Sequence, residues 1–232
     1  MKLRLPGVAC LTLLMVGAVV VPPAHAHDAG ATRQGPAQGK VSVEEFRSDE
    51  CAAQVADIAA KSGAGAAAQI AQAVEELCTG QVILTESAPK AATVAEAREF
   101  ATSANLSASE TQALVASAAA SALYSKTWNH AYWGGSLYEI HTGKTYYNGS
   151  LAWIASYSGY SGSHTCHAEG SWAVGWAVTP LTCSRPAAAS AADAVYRFDA
   201  SVFYNGSPLT LGIGLHYQVT GAGVSSGWQV GG

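Results

Sequence analysis

The sequence predicts an α+β fold in which N-terminal helical hairpins, pinned by a disulfide, precede an antiparallel β-sandwich or barrel. Three observations carry this. All six tryptophans and all ten tyrosines lie at or after Tyr124, while the first half is rich in Ala, Gln, Glu and Ser. Apolar residues recur at helical spacing before that point and at two-residue spacing after it. Apart from Cys10, the cysteines fall into one pair in each half. Aromatic residues supply much of the area a small domain buries, so the front half needs another source of stability.

Residues 1–26 read as a secretory signal, with Lys2 and Arg4 before an apolar run and Ala24-His25-Ala26 as a small-x-small cleavage site. Cys10 lies inside the run with no apolar stretch before it, so no lipid anchor is expected. No later run reaches the roughly 18 apolar residues of a membrane helix. The sequence therefore predicts a secreted, extracellular chain with no membrane partner.

Residues 27–46 read as a flexible N-terminal arm, with Gly30, Gly35, Pro36 and Gly39 among small polar residues. Its bulky apolar residues are Val41, Val43 and Phe46, and Lys40-Val41-Ser42-Val43 alternates as a strand added to a partner would. Lys40, Val41, Val43 and Phe46 are thus the expected partner-binding residues of the arm.

Residues 47–126 form an Ala-rich helical region. Ser48-Asp49-Glu50 marks a helix start and Gly80 a helix end, with Gly63 and Gly65 breaking the middle. Four cysteines allow three connectivities. Local pairing is expected, Cys51 with Cys78 and Cys166 with Cys183, because two antiparallel helices bring Cys51 and Cys78 to neighbouring ends. Residues 81–86 are a β-branched run suited to a strand or an extended link. Thr93-Val94-Ala95-Glu96 and Ser107-Ala108-Ser109-Glu110 are capping boxes, predicting helices near 94–104 and 108–124.

Residues 127–232 are the aromatic-rich antiparallel β domain. Thr142-Gly143-Lys144 is expected to be a hairpin loop, residues 151–157 and 171–179 to be strands, and Cys166–Cys183 to fasten one hairpin. The last hairpin turns at Asn205-Gly206-Ser207-Pro208, between the alternating series Tyr196, Phe198, Ala200, Val202, Tyr204 and Leu209, Leu211, Ile213, Leu215, Tyr217, Val219. Asn-Gly-Ser at 148 and 205 reads as turn chemistry rather than glycosylation.

Charge excludes some partners. Residues 27–123 carry twelve acidic and six basic side chains, and residues 124–232 carry four of each. Neither half offers the basic stripe that nucleic acid or an anionic membrane attracts. Chemistry is sparse. His-Glu-x-x-His, a phosphate-binding glycine loop and a calcium loop are all absent, and Gly159-Tyr160-Ser161-Gly162-Ser163 only half matches a nucleophile elbow. His164-x-Cys166-His167 has the residue types of a metal site, but paired cysteines offer no thiolate, so no metal and no cofactor is expected. His167 and Glu169 are placed to meet on one strand face as an acid–base couple. Trp128, Tyr132, Trp133 and Trp228 are the candidate contact aromatics, since such rings anchor interfaces or stack on sugars.

At Trp128-Asn129-His130-Ala131-Tyr132, followed by closely spaced Tyr and His residues and a late strand ending Phe203-Tyr204, the β half resembles lactococcin-972-type bacteriocins. That resemblance implies an exported small β-sandwich, and its pattern carries no catalytic residues to transfer to this sequence. In its order of signal peptide, extended arm and disulfide-bearing body, the chain also resembles the adaptor subunit of umbrella toxin particles. This implies a linker between a large toxin-bearing protein and a lectin-like subunit, with the arm inserted into the lectin. The expected function is a non-catalytic secreted binding protein, an adaptor in an extracellular antibacterial assembly. A free-standing bacteriocin-like toxin and a glycan-binding module or hydrolase are the alternatives.

Overall fold

The computed structural model describes residues 39–63, 66–120 and 123–231. The expected signal segment and residues 27–38 of the expected arm lie outside them. Along the chain run β1 (Lys40–Arg47), α1 (Asp49–Ser62), α2 (Ala67–Cys78), β2 (Thr79–Glu86), β3 (Lys90–Ala91), α3 (Val94–Ser103) and α4 (Ala108–Ala120). There follow β4 (Tyr124–Gly134), β5 (Leu137–Tyr147), β6 (Ala152–Trp153), β7 (Ser163–Cys166), β8 (Trp172–Ala173), β9 (Ala177–Cys183), β10 (Ala191–Tyr204), β11 (Ser207–Thr220) and β12 (Ser225–Gly231). The chain is α+β, and its strands form two antiparallel sheets. The larger has the order β1-β2-β4-β5-β6, with β3 on β4 and with β7 and β8 on β5; the smaller is β12-β11-β10-β9.

Directly paired residues share a face of a sheet, so the register sorts side chains into two sets. In the larger sheet Phe46, Val82, Leu84, Glu86, Trp128, His130, Tyr132, Leu137, Glu139 and His141 share one face. In the smaller sheet Tyr196, Phe198, Ala200, Leu211, Ile213, Leu215 and Tyr217 do. These two faces bury against each other, with Trp128 stacked 4.2 Å from Tyr217 and Tyr132 edge-on to Phe198.

The helical pairs do not form one bundle; each docks on the aromatic half. Ser48 caps α1 by accepting the Cys51 amide at 3.0 Å, and Gly63 ends it in the left-handed region at φ 62°. The Ser48 amide donates to the Cys78 carbonyl, and Cys51–Cys78 closes the same end of the hairpin with Cα atoms 5.5 Å apart. Val55, Ile58 and Val74 of this pair share a core with Phe46, Tyr132, Leu137 and Leu215. Both capping boxes form, at Thr93/Glu96 and at Ser107/Glu110. The α3–α4 pair buries Ala97, Ala101, Leu114 and Ala118 against Tyr146, Trp153 and Tyr160, on the opposite face of the larger sheet.

Several expectations are corrected. Residues 47–126 carry the four helices but are not helical throughout, because the run at 81–86 is part of β2, which lies between β1 and β4 in the larger sheet. Gly80 is not a helix end: α2 stops at Cys78, and Gly80 is a strand residue whose Cβ would strike the Trp133 carbonyl. Thr142-Gly143-Lys144 is not a loop, since β5 runs through it. Gly143 is there because a Cβ would strike the Ser163 carbonyl and meet the Trp128 ring at 2.7 Å, and the real turn is at Gly135, at φ 58°. Residues 151–157 form only the two-residue β6, and 171–179 break at Gly175, at φ 80°. The Asn205-Gly206 turn forms as expected, both residues at positive φ as a two-residue hairpin requires.

Candidate functional site

Three features stand out: a free sheet edge, an aromatic row on an open face, and a buried polar layer. The edge is β1. Lys40–Arg47 is a strand of this chain's own sheet rather than a free arm, paired residue for residue with β2 from Lys40↔Glu86 to Arg47↔Thr79. Its alternation finds a complementary edge in β2 without a partner protein. Phe46 fixes the strand from the inner face, 5.1 Å from the Tyr132 ring. Val41 and Val43 project from the other face, 66% and 55% exposed, and Lys40 is exposed as well. Among the described residues no strand pairs with the outer edge of β1.

The candidate contact aromatics separate by strand parity. Trp128 and Tyr132 are core residues, 2% and 1% exposed, because both point between the sheets. Trp128 donates its indole N–H to Thr145 at 2.9 Å, and burial raises the Tyr132 phenol pKa far above its ordinary value. Trp228 is half-buried and lies flat on His216, whose Nδ1 meets Asp193 at 2.9 Å. Trp133 alone of the four is largely open, at 47% exposed. It sits on the outer face of the larger sheet in register with Tyr138, which is itself in register with Trp172, 45% exposed.

The polar layer went unread in the sequence. Glu86 and Glu139 are buried carboxylates, accepting hydroxyl hydrogen bonds from Tyr217 at 2.6 Å and from Tyr196 at 3.0 Å across the gap between sheets. Burial, then the facing carboxylate, raises both phenol pKa values far above the ordinary range. Beside them, three imidazoles form a chain: His130 Nδ1 to His141 Nε2 at 2.9 Å, and His141 Nδ1 to His164 Nε2 at 3.0 Å. His164 Nδ1 ends the chain on the Ser184 carbonyl. A carbonyl only accepts, so His164 Nδ1 carries hydrogen, and with neutral rings each next Nδ1 must donate in turn. The one free lone pair is left on His130 Nε2, buried and without a partner. Burial, and then the neighbouring His216, pushes the His130 pKa down to about 4. His141 lies well below its ordinary value through burial and the surrounding imidazoles, and burial lowers His164 against the Ser184 hydrogen bond. The rings are held in one tautomer by this chain of hydrogen bonds, and His130 and His141 are fully enclosed.

The signal for this layer was parity. Glu86 follows Val82 and Leu84, and Glu139 and His141 follow Leu137, at two-residue spacing, which places all of them on the buried face.

The remaining candidates separate in space. His167 meets Glu139, at 2.9 and 3.1 Å, and not Glu169. Cys166 and Cys183 are bonded to each other. His164, Cys166 and Cys183 have their ligand atoms within 4.8 Å of one another, but as a disulfide the sulfurs present no thiolate. Ser161 lies between β6 and β7, with no helix after it to make a nucleophile elbow. Asn148 accepts the amides of Ser150 and Leu151 through its side chain, the turn chemistry expected there. Among the described residues no helix is long and apolar enough to cross a membrane. Comparison with family models, with curated proteins and with solved structures gives no match for this chain.

Proposed function

We propose that this chain is a secreted, non-catalytic binding protein that takes a partner strand on the edge of β1, and that it serves as an adaptor subunit of an extracellular antibacterial toxin assembly. The single observation that carries the binding reading is the open edge of β1, with Val41 and Val43 exposed beside it. Natural sheets blunt such edges, and one left open offers backbone amides and carbonyls to an added strand. Phe46 holds the strand in place, so a partner meets an ordered template and the chain loses little freedom on binding. Two disulfides suit an oxidising compartment.

The adaptor role rests on the resemblances of organisation and of the Trp128–Tyr132 segment. Trp128, His130 and Tyr132 are buried in the core, so that segment supports a common sandwich rather than a shared contact site. The partners of this reading are other secreted proteins, a large toxin and a lectin-like subunit.

The test is affinity isolation of the tagged chain from native secretion medium, alongside V41K/V43K. Stoichiometric exported partners on the parent chain, lost from the folded double variant, are the expected result. A parent chain that stays alone, or partners held equally by the variant, would overturn the edge reading. Growth inhibition by the purified chain alone would replace the adaptor with a free-standing toxin.

A further inference from the structure

We propose that the row Trp133–Tyr138–Trp172 on the outer face of the larger sheet, continued by Gln81 and Glu45, binds a neutral β-linked polysaccharide chain. The register places these five residues side by side on β1, β2, β4, β5 and β8 in the order Glu45, Gln81, Trp133, Tyr138, Trp172. Neighbouring strands are about 4.8 Å apart, so the row presents one side chain per strand along a line, at an interval close to one pyranose unit. One end of the line is aromatic, with the Tyr138 and Trp172 rings 6.2 Å apart, and the other ends in a carboxamide and a carboxylate.

The face is open where the row lies. The α3–α4 pair covers the Tyr146 end of the same face, whereas Trp133 and Trp172 remain about half exposed. Beside Trp133 and Gln81 is a hollow of about 270 Å³, and beside Gln81 and Glu45 another of about 520 Å³. A chain laid on the row therefore has recesses for its substituents.

The chemistry selects the ligand. An equatorially linked pyranose exposes flat C–H faces, which stack on indole and phenol rings. Its hydroxyls donate to a carboxylate and pair with a carboxamide in both directions. Charge completes the choice: Glu45, Glu75 and Glu76 surround the hollows with Arg47 as their one cation, and Arg47 lies 3.6 Å from Glu75. A polyanionic glycan is repelled there. This site uses β1 only through the Glu45 side chain on the outer face and not through the strand's free backbone edge.

The experiment measures retention on insoluble cellulose and on insoluble chitin, with calcium alginate gel as the polyanionic control, for the parent, W133A, W172A, W133A/W172A and V41K/V43K. The expected result is retention of the parent on cellulose or chitin and not on alginate, with about tenfold weaker binding in each single tryptophan variant. The tryptophan double variant should not be retained, while V41K/V43K should bind as the parent does. Failure of the parent to bind either neutral polymer, preference for alginate, or undiminished binding by folded W133A/W172A would overturn the proposal. Should the tryptophan variants not fold, parent tryptophan fluorescence titrated with soluble cello- and chito-oligosaccharides decides it. A saturable change supports the site and no change with either overturns it. V41K/V43K tells the two readings apart, since it removes protein partners and leaves glycan retention intact.

Discussion

His130 Nε2 is a buried acceptor that receives no hydrogen bond, at the end of an imidazole chain whose other end is fixed by the Ser184 carbonyl. Its folded-state pKa is about 4 against 6.5 in the ordinary state. Between those values the unfolded chain binds more protons than the folded one, so stability rises with pH; it is fully present above about 6.5 and lost as pH falls toward 4. From this ring alone urea denaturation should show about 2 kcal/mol less stability at pH 5 than at pH 7. The change should shrink in His130→Asn. A parent chain equally stable at both values would show that the ring is not enclosed as described. Alternation puts His130, His141, Glu86 and Glu139 on one face with apolar neighbours without marking that face as the inner one. What parity does not supply is their partners, because Tyr196, Tyr217 and Ser184 come from strands far along the chain. Trp128 and Tyr132 read as contact residues in the sequence for the same reason, since exposure depends on a second sheet that local pattern does not show.

At the scale of elements, helices were the most legible feature, because capping boxes and a left-handed Gly63 are local chemistry. The Cys51–Cys78 bridge was legible too, since it follows from two antiparallel helices of nearly equal length. It closes 27 residues of separation and should contribute about 3–4 kcal/mol. C51S/C78S, measured by chemical denaturation, should lose at least that much, because both sulfurs are buried against the common core. A loss under 1 kcal/mol would contradict the bridge's role in pinning the hairpin. Glycine was the ambiguous signal. It permits a turn and it permits close approach, and at Gly143 the Ser163 carbonyl of the neighbouring strand together with the Trp128 ring settles which applies. Gly143→Ala should therefore cost about 1–3 kcal/mol by overpacking, although the backbone there is extended. A neutral effect would show that both the Ser163 strand and the Trp128 ring have room to move.

Over the whole molecule the compositional boundary at Tyr124 is real in sequence but is not a boundary in the fold. The aromatic-poor half contributes β1 and β2 to the larger sheet, and its helical pairs cover different faces of the aromatic half. Strand order places β2 against β4, and this long-range pairing was not readable from a short β-branched run flanked by helical signals. Among the described residues the same topology leaves β1 with no strand beyond it and the aromatic row exposed, so both proposed binding surfaces arise from one sheet. The most direct measurement of the central claim is amide hydrogen exchange across β1, in the isolated chain and in the complex it forms in secretion medium. Strand addition predicts that amides of Lys40–Arg47 not already protected in the isolated chain become protected in the complex, with no loss of protection in β2. Unchanged exchange throughout β1, with protection arising elsewhere, would contradict it.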